Sequence, residues 1–472
     1  MSQTRRDFLR QTGCAALGTG LLATGIQDFG LVHALAQGSA SGYRALVCVF
    51  LNGGNDGNNT VVPTDDRYTL YSNERGPAGL AIPAAGQTGG LLQLNGVPYG
   101  LHPNLPDIKT LFDQGKCAVL FNAGPLVEPL TKSAFQSGAG KRPSQLFSHS
   151  DQVSQWQSSV ATGASTSGWG GRVADHTAAL NGAATFPQMI SVAGIQLFVT
   201  GVATRPLAIA PAPTALANVL SLTMNGSAGE VASRRAAFDQ IRAQATDSLA
   251  RAANDVTESA LRTAAALGSA NATVSTTFPN TTLGNQLKQV ALLIKACSDQ
   301  SPSNSLRMQR QIFFVQLGGF DSHALQRAAN NSQDSLLAQV GPAVKAFYDE
   351  TVAQGVSDRV TTFTLSDFGR TFQPAGAGAG VVGTDHAWGN HHFIVGGAVR
   401  GGQTYGTYPT LQRGGPDDTD SGSNPRGRWI PTVSVEQYAA TLAAWYGLAP
   451  SDLTTVFPFI DRFPVANLGF MA

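Results

Sequence analysis

The sequence predicts an α/β fold: a doubly wound, mostly parallel central sheet flanked by helices, with long loop and helical insertions. Three observations predict it. Short, near-continuous apolar runs rich in β-branched and aromatic residues suit strands covered on both faces. Patterns of helical period lie between those runs. Finally, three clusters of polar and acidic residues each follow directly on the end of an apolar run. That is where ligand-binding turns sit in an open α/β sheet.

Residues 1–36 stand outside that fold. Thr4-Arg5-Arg6-Asp7-Phe8-Leu9-Arg10, a soft apolar run from Gly13 to Ile26 and a terminal Ala34-Leu35-Ala36 read as a twin-arginine (Tat) export signal. The run is too short and too rich in Gly, Ala and Thr to span a bilayer. The mature chain is therefore expected in the periplasm or outside the cell, carried there already folded by the Tat translocase. No later apolar run reaches the roughly 18 residues of a membrane span, so no stable membrane anchor is expected. Residues 37–472 are expected to form one domain.

Charged residues are 13% of the chain, against about 25% in an average soluble protein, and the formal net charge is +1. This balance offers no electrostatic footprint for nucleic acid. Cys14 falls in the signal, while Cys48 and Cys117 sit in apolar runs as buried thiols. The odd count left by Cys48, Cys117 and Cys297, with no CxxC, argues against a disulfide framework or a thiolate zinc site.

Taken in order, the strand runs are Ala45–Leu51, Cys117–Phe121, Ile312–Leu317, Val360–Leu365 and Phe393–Val395. Asn104 is placed to cap a helix over Leu105–Gln114 that stops at Gly115. Thr281 or Thr282 precedes Leu283, Leu287, Val290, Leu293 and Ile294, one apolar helical face. Leu336–Gln354 reads as the helix after the third run, and Ser434–Tyr446 opens on Ser-Val-Glu-Gln, a capping box. Ser233–Leu267 is Ala-rich with interspersed charges, a solvated helix or pair. About 124–230 and 370–430 are Gly-, Ser-, Thr- and Asn-rich and read as insertions.

The chemistry gathers at the strand ends. Leu51 is followed by Asn52-Gly53-Gly54-Asn55-Asp56-Gly57, Leu317 by Gly318-Gly319-Phe320-Asp321-Ser322-His323, and Leu365 by Ser366-Asp367-Phe368-Gly369-Arg370. Glycines there let the backbone turn sharply and aim a carboxylate upward. His323, His386, His391 and His392 lie in the C-terminal third beside Asp321, Asp367 and Asp385. Carboxylates and imidazoles together suit zinc, manganese or a similar divalent ion. Phe147-Ser148-His149-Ser150-Asp151-Gln152 precedes Val153–Ser158, readable as a helix. A hydroxyl at a helix start beside a cation has its alkoxide favoured, although Ser and Asp are also what helix caps require. G-x-S-x-G, Walker A and HExxH are absent. Gly378-Ala379-Gly380-Val381-Val382-Gly383 fits GxGxxG but opens no helix, and reads as a flexible loop.

With these residues in view, the chain resembles the DUF1501 family, mostly Tat-exported bacterial proteins of the alkaline phosphatase/sulfatase-like superfamily. The resemblance rests on FLNGGNDGNNTVVP (Phe50–Pro63), FSHSDQ (Phe147–Gln152), GGFDSH (Gly318–His323), SDFGRT (Ser366–Thr371) and GTDHAWGNHHFIVGG (Gly383–Gly397). The late SVEQYAATLAAWYG helix (Ser434–Gly447) completes it. It implies an alkaline phosphatase-like fold and adjacent divalent metals that activate a hydroxyl and stabilise charge on a phosphoryl or sulfuryl group. Carried over by motif, Asp56 and Asp367 hold the metal nearest the nucleophile. Asp321, His323 and His386 hold the other, with Asp385 beside them, and Ser148 is the nucleophile. His149 and Arg370 join Ser148 as catalytic candidates, Arg370 toward an anionic substrate.

Phe368 follows Asp367 where the superfamily often has His, so one or two ions per chain are open, drawn from zinc, manganese, calcium or magnesium. The implied activity is hydrolysis of an anionic small-molecule or polymer ester of phosphate or sulfate. The rival reading is a metal-bearing binding or assembly protein of the bacterial envelope that does not turn over. Ser148 against Ser150, and His386 against His391 and His392, also stay open.

Overall fold

Each of the five apolar runs forms a strand. The computed structural model of the chain describes residues 42–220, 227–244, 247–270, 272–301, 303–330, 332–378 and 381–472. The export-signal reading of residues 1–36 lies outside the described residues, as does part of the glycine loop at 379–380. In chain order the strands are β1 (Arg44–Leu51), β2 (Val61–Pro63), β3 (Leu92–Gln93), β4 (Tyr99–Leu101), β5 (Cys117–Gly124) and β6 (Met189–Ser191). They continue with β7 (Leu207–Ala208), β8 (Arg310–Leu317), β9 (Val360–Ser366), β10 (Asn390–Gly396), β11 (Thr404–Tyr405) and β12 (Val433–Ser434). The helices that frame them are α1 (Gly57–Thr60), α2 (Arg67–Arg75), α3 (Pro106–Asp113) and α4 (His149–Ser158). Then come α5 (Thr282–Ser298), α6 (Gln333–Ala353) and α7 (Val435–Tyr446).

The central sheet runs β11-β5-β10-β9-β1-β8-β6-β7, with β12 also paired to β5. β1 lies parallel to β8 and to β9, and every other pair in this sheet is parallel except those of β10. β10 runs antiparallel to both β5 and β9, so the sheet is mixed but mostly parallel. A small antiparallel sheet, β2-β4-β3, lies apart from it.

Period-two alternation explains the layers. Ala45, Val47, Val49 and Leu51 of β1 face one apolar cluster, which contains Leu111 of α3, Leu287 and Ile294 of α5, and Leu337 and Phe347 of α6. Leu46, Cys48 and Phe50 face the other, with Trp156 of α4 and Tyr438, Leu442 and Tyr446 of α7. Both faces of β1 are therefore covered, which is why its sequence carries no polar alternation. Each such buried Leu or Phe is worth about 1.5–3 kcal/mol against leaving it in water.

Helix starts follow local hydrogen bonding. Thr281 Oγ1 accepts from Gly284 N–H and opens α5. Ser434 and Gln437 cap each other at the start of α7. Asn104 caps nothing; its side chain donates to the Asp334 carbonyl, and Pro106 sets the first turn of α3 instead. Ser332 opens α6 three residues earlier than the apolar spacing placed it. The region read as an insertion at 124–230 supplies β6 and β7, which extend the sheet beyond β8. Ser233–Leu267 resolves into two helices, Ala228–Ala243 and Ser248–Gly268. No helix among the described residues is long and apolar enough to cross a membrane.

Candidate metal centre

Register brings the strand-end turns together. Leu51 pairs with Leu317 of β8 and with Ser366 of β9, so all three strands end at one level. The chain crosses to opposite sides of β1, which makes this edge a topological switch point. The turns are then tied to one another. Gly53 N–H donates to Asp367 Oδ1 at 2.9 Å, and a Cβ on Gly53 would stand 2.5 Å from Asp321 N. With φ at 114°, that position accepts glycine alone.

His149, Asp321 and His386 offer donor atoms that all lie within 4.8 Å of one another, and His323 flanks two of them. His149 Nε2 lies 3.1 Å from His386 Nε2, which lies 2.9 Å from His323 Nε2. Asp321 Oδ1 is 3.4 Å from His149 Nε2, 3.2 Å from His323 Nε2 and 3.4 Å from His386 Nε2. A tetrahedral zinc with bonds of about 2.0–2.1 Å has ligand–ligand edges of about 3.3 Å. The His149–His386, His149–Asp321 and His386–Asp321 separations, 3.1–3.4 Å, match one face of such a tetrahedron, and His323 lies 2.9 and 3.2 Å from two of its corners.

The far side of each ring fixes its tautomer. His149 Nδ1 meets Asp367 Oδ2 at 2.7 Å, His323 Nδ1 meets Asp385 Oδ1 at 3.1 Å, and His386 Nδ1 meets the Phe147 carbonyl at 2.8 Å. All three partners only accept, so each Nδ1 carries the proton and each neutral ring turns its Nε2 lone pair inward. Three lone pairs and a carboxylate oxygen pointing at one spot repel one another unless a cation lies between them. This arrangement, with the outer nitrogen of every imidazole anchored, is how proteins build metal-ligating histidines.

The anchors are themselves held. Arg370 is wholly buried; it donates to the carbonyls of Gly53, Gly54, Phe320 and Thr384 and to Asp321 Oδ1. Burial opposes the Asp321 charge, but the Arg370 hydrogen bond and nearby positive groups hold its carboxyl below the usual range. Burial likewise opposes the Asp385 charge, and Arg426 and His323 outweigh it. The hydrogen bond to Asp367 raises the His149 pKa above that of a free imidazole, while burial lowers that of His386. Phe147 sits at φ 71°, a region that costs a non-glycine residue about 1–3 kcal/mol. Its N–H donates to Gln152 Oε1 at 2.6 Å and its ring lies 4.4 Å from the Arg428 guanidinium carbon. Phe368 covers the rings of His149 and His386, each 4.7 Å away.

A family described as "Protein of unknown function (DUF1501)" matches residues 43–421. The chain belongs to the DUF1501 family. No curated protein matches the chain. Among solved structures, it is similar to Ps i-CgsB in complex with k-i-k-neocarrahexaose at 9% identity. That match covers 89% of this chain and 77% of the other, with a TM-score of 0.34. The C-terminal periplasmic domain of EcEptC from Escherichia coli, in a complex with zinc, is 10% identical. It covers 76% and 74% of the two chains at a TM-score of 0.31. PsFucS1 sulfatase from Pseudoalteromonas sp. is 10% identical over 93% and 73%, with a TM-score of 0.30.

All four donors lie within the DUF1501 match. Of the residues read from sequence, Asp321, His323 and His386 supply donors, and His149, read as catalytic, supplies the fourth. Asp367 and Asp385 stand behind imidazoles. Asp56 stands apart from the four. Both its oxygens are bound by Arg75, one also by Gln326 and the other by Asn58 N–H, and the pair with Arg75 is fully buried. His391 and His392 point into the core, where burial lowers both pKa values to about 3. His391 accepts from Asn122 N–H, and His392 packs on Trp156. Ser148 Oγ donates to Asp151 Oδ2 at 2.6 Å, lies 3.2 Å from Ser150 Oγ, and caps no backbone N–H of the helix it precedes. Ser150 is exposed. Arg75, Arg426 and Arg428 carried no signal in the sequence beyond their residue type, and Phe147 entered only as the first residue of the FSHSDQ stretch.

Proposed function

We propose that this DUF1501 protein hydrolyses sulfate or phosphate esters at one divalent ion held by His149, His323, His386 and Asp321. The convergence of four electron-pair donors, each braced from behind, carries this reading. The resemblance to the alkaline phosphatase/sulfatase-like superfamily supports the reaction class. Three imidazoles and one carboxylate suit zinc, with manganese next; calcium and magnesium prefer all-oxygen shells. One ion is favoured over two because every Asp56 oxygen is already engaged by Arg75, Gln326 and Asn58. When bound, such an ion supplies Lewis-acid stabilisation of charge on the transferring group.

The nucleophile in this reading is Ser148, at the N-terminus of α4, where the helix dipole favours an alkoxide. Its Oγ attacks phosphorus or sulfur and its proton passes to Asp151, 2.6 Å away. The ester oxygen leaves as an alcohol with that proton, and water then cleaves the seryl ester and restores the hydroxyl. The substrate is an anionic small molecule or polymer, met in the periplasm or outside the cell after Tat export.

One observation favours the second reading, a metal-bearing protein without turnover. With His323 added to His149, Asp321 and His386, four protein donors would fill the shell, as in structural zinc sites, whereas catalytic zinc keeps a position open. Against it, Asp321 and His323 keep nearly half their side-chain surface in contact with solvent. Elemental analysis of the purified protein and of an Asp321→Ala/His323→Ala variant, followed by an ester panel with Ser148→Ala, separates the two. About one ion per chain, lost in the variant, with turnover abolished by Ser148→Ala, is expected. A bound ion without turnover on any ester would move the assignment to the second reading, and a protein that takes up no ion would end both.

A further inference from the structure

An ester hydrolase must also hold the negative charge of its substrate, and Arg370, the residue singled out for that task, is unavailable. It is wholly buried and occupied by four carbonyls and Asp321. Two other guanidiniums, from a segment beyond the DUF1501 match, contact residues that stand behind the imidazoles. Arg426 Nη1 donates to Asp385 Oδ2, the carboxylate that holds His323. Arg428 lies over Phe147, whose carbonyl holds His386 and which precedes Ser148. One segment thus touches the outer partners of two different imidazoles.

Neither fork is used up. Arg426 keeps 37% of its side chain exposed and gives only Nη1 to Asp385. Arg428 has a long ion pair, Nη1 to Asp420 at 3.5 Å, and its buried Nε finds no acceptor among the described residues. A partly buried guanidinium with an unmatched N–H is costly unless an acceptor arrives. Its rigid fork matches two oxygens of a tetrahedral anion.

We propose that Arg426 and Arg428 form an oxyanion subsite at the rim of the centre, taking oxygens of the sulfate or phosphate group of the substrate. This rests on the ester-hydrolase reading. Gly427 between them stands at φ 70°, where a Cβ would lie 2.5 Å from Phe372 Cβ, so the turn that separates the two arginines requires glycine. The subsite would recognise charge and tetrahedral shape, and leave the alcohol portion of the ester to other surfaces.

The test is calorimetric binding of inorganic sulfate and inorganic phosphate to the zinc-loaded full chain, compared with Arg426→Gln, Arg428→Gln and Arg428→Lys. Metal content and melting temperature are followed alongside. Each glutamine variant is expected to bind the anions at least about tenfold more weakly, about 1.4 kcal/mol, with zinc retained. Arg428→Lys should recover part of the loss, since it keeps the charge without the fork. Equal anion affinity in wild type and variants would overturn the subsite and leave the hydrolase reading standing. Loss of zinc in the variants would assign both arginines to bracing the ligands, and so also overturn it. If the wild-type protein binds neither anion, the hydrolase reading falls with the subsite.

Discussion

Replacing Asp367 by Asn tests whether the imidazoles are oriented from behind. Asp367 is buried, and its two oxygens serve two donors, His149 Nδ1–H at 2.7 Å and Gly53 N–H at 2.9 Å. An amide of the same shape can accept only once. If its oxygen stays on Gly53, its NH2 faces His149 Nδ1 and drives the proton to Nε2, where it blocks the ligand. If it turns round, NH2 faces the Gly53 N–H and a buried donor loses its acceptor. Either way the loss falls on the centre, and outer partners of metal-bound His are worth roughly 10–100-fold in affinity. That range is about 1.4–2.7 kcal/mol. Asp385, whose side chain is 35% exposed, should matter less when changed to Asn, because water can replace its contact with His323. The assay is competition for zinc between a chromogenic chelator and the ion-free protein, for wild type and both variants at one pH. An Asp367→Asn affinity within threefold of wild type, or a larger effect at Asp385, would refute the reasoning.

Three further outcomes are expected. Asp56→Asn should destabilise the fold by about 3–5 kcal/mol in urea titration, because it leaves the buried Arg75 charge uncompensated, yet ions per folded chain should not change. A fall in metal content would return Asp56 to the ligand set. Glu436→Gln should be stabilising, and increasingly so at higher pH. Burial raises the Glu436 carboxyl from 4.5 to about 8, so between those values the unfolded chain ionises while the folded chain does not. Wild-type stability is therefore lost as pH rises through that window, by at most about 1.4 kcal/mol per pH unit. Equal pH profiles for wild type and variant in thermal melts would dismiss this. Removing the ion with a chelator should lower the melting temperature without unfolding the chain, since free zinc at 100 times its Kd adds only about 2.7 kcal/mol. Collapse of the circular dichroism on chelation would contradict it.

The sheet was legible because strands covered on both faces must be apolar throughout. Ala45–Leu51 and Ile312–Leu317 lie within one residue or two of β1 and β8 for that reason. Direction was not legible: Phe393–Val395 has the same composition as its neighbours, yet β10 is antiparallel to them. Composition records burial, whereas direction depends on the route of the connections. β6 escaped notice because three residues, Met189–Ser191, make too short a run to stand out.

The site divides along the same line. Residue type and strand-end position gathered Asp56, Asp321, His323 and Asp367 at one edge, and the histidine-rich C-terminal third together with the family resemblance added Asp385 and His386. They could not say which of these present a donor and which stand one hydrogen bond behind. Asp56 follows a strand as Asp321 does; what separates them is Arg75, 19 positions further on and fully buried against it. His149 was hidden in a stretch that reads equally well as a helix start. Its role depends on Asp367, 218 positions away.

Those long-range partners also say what kind of centre this is. Each donor is braced by a segment other than its own: His149 by Asp367, His323 by Asp385, His386 by Phe147 and Asp321 by Arg370. The braces are in place through the protein's own hydrogen bonds, and three of the four, Asp367, Arg370 and Asp385, lie in the segment between β9 and β10. Where ligands are flexible, binding an ion must supply the free energy of ordering them, and folding and binding become one event. In this chain the ordering belongs to the fold. On the proposed reading, binding energy at the centre would be free to act on whatever enters the coordination shell, the condition that electrostatic preorganisation requires. The strained Phe147 fits this account. Its ring packs against the Leu126–Trp388 cluster, and its backbone points one carbonyl at His386 and places Ser148 next to His149.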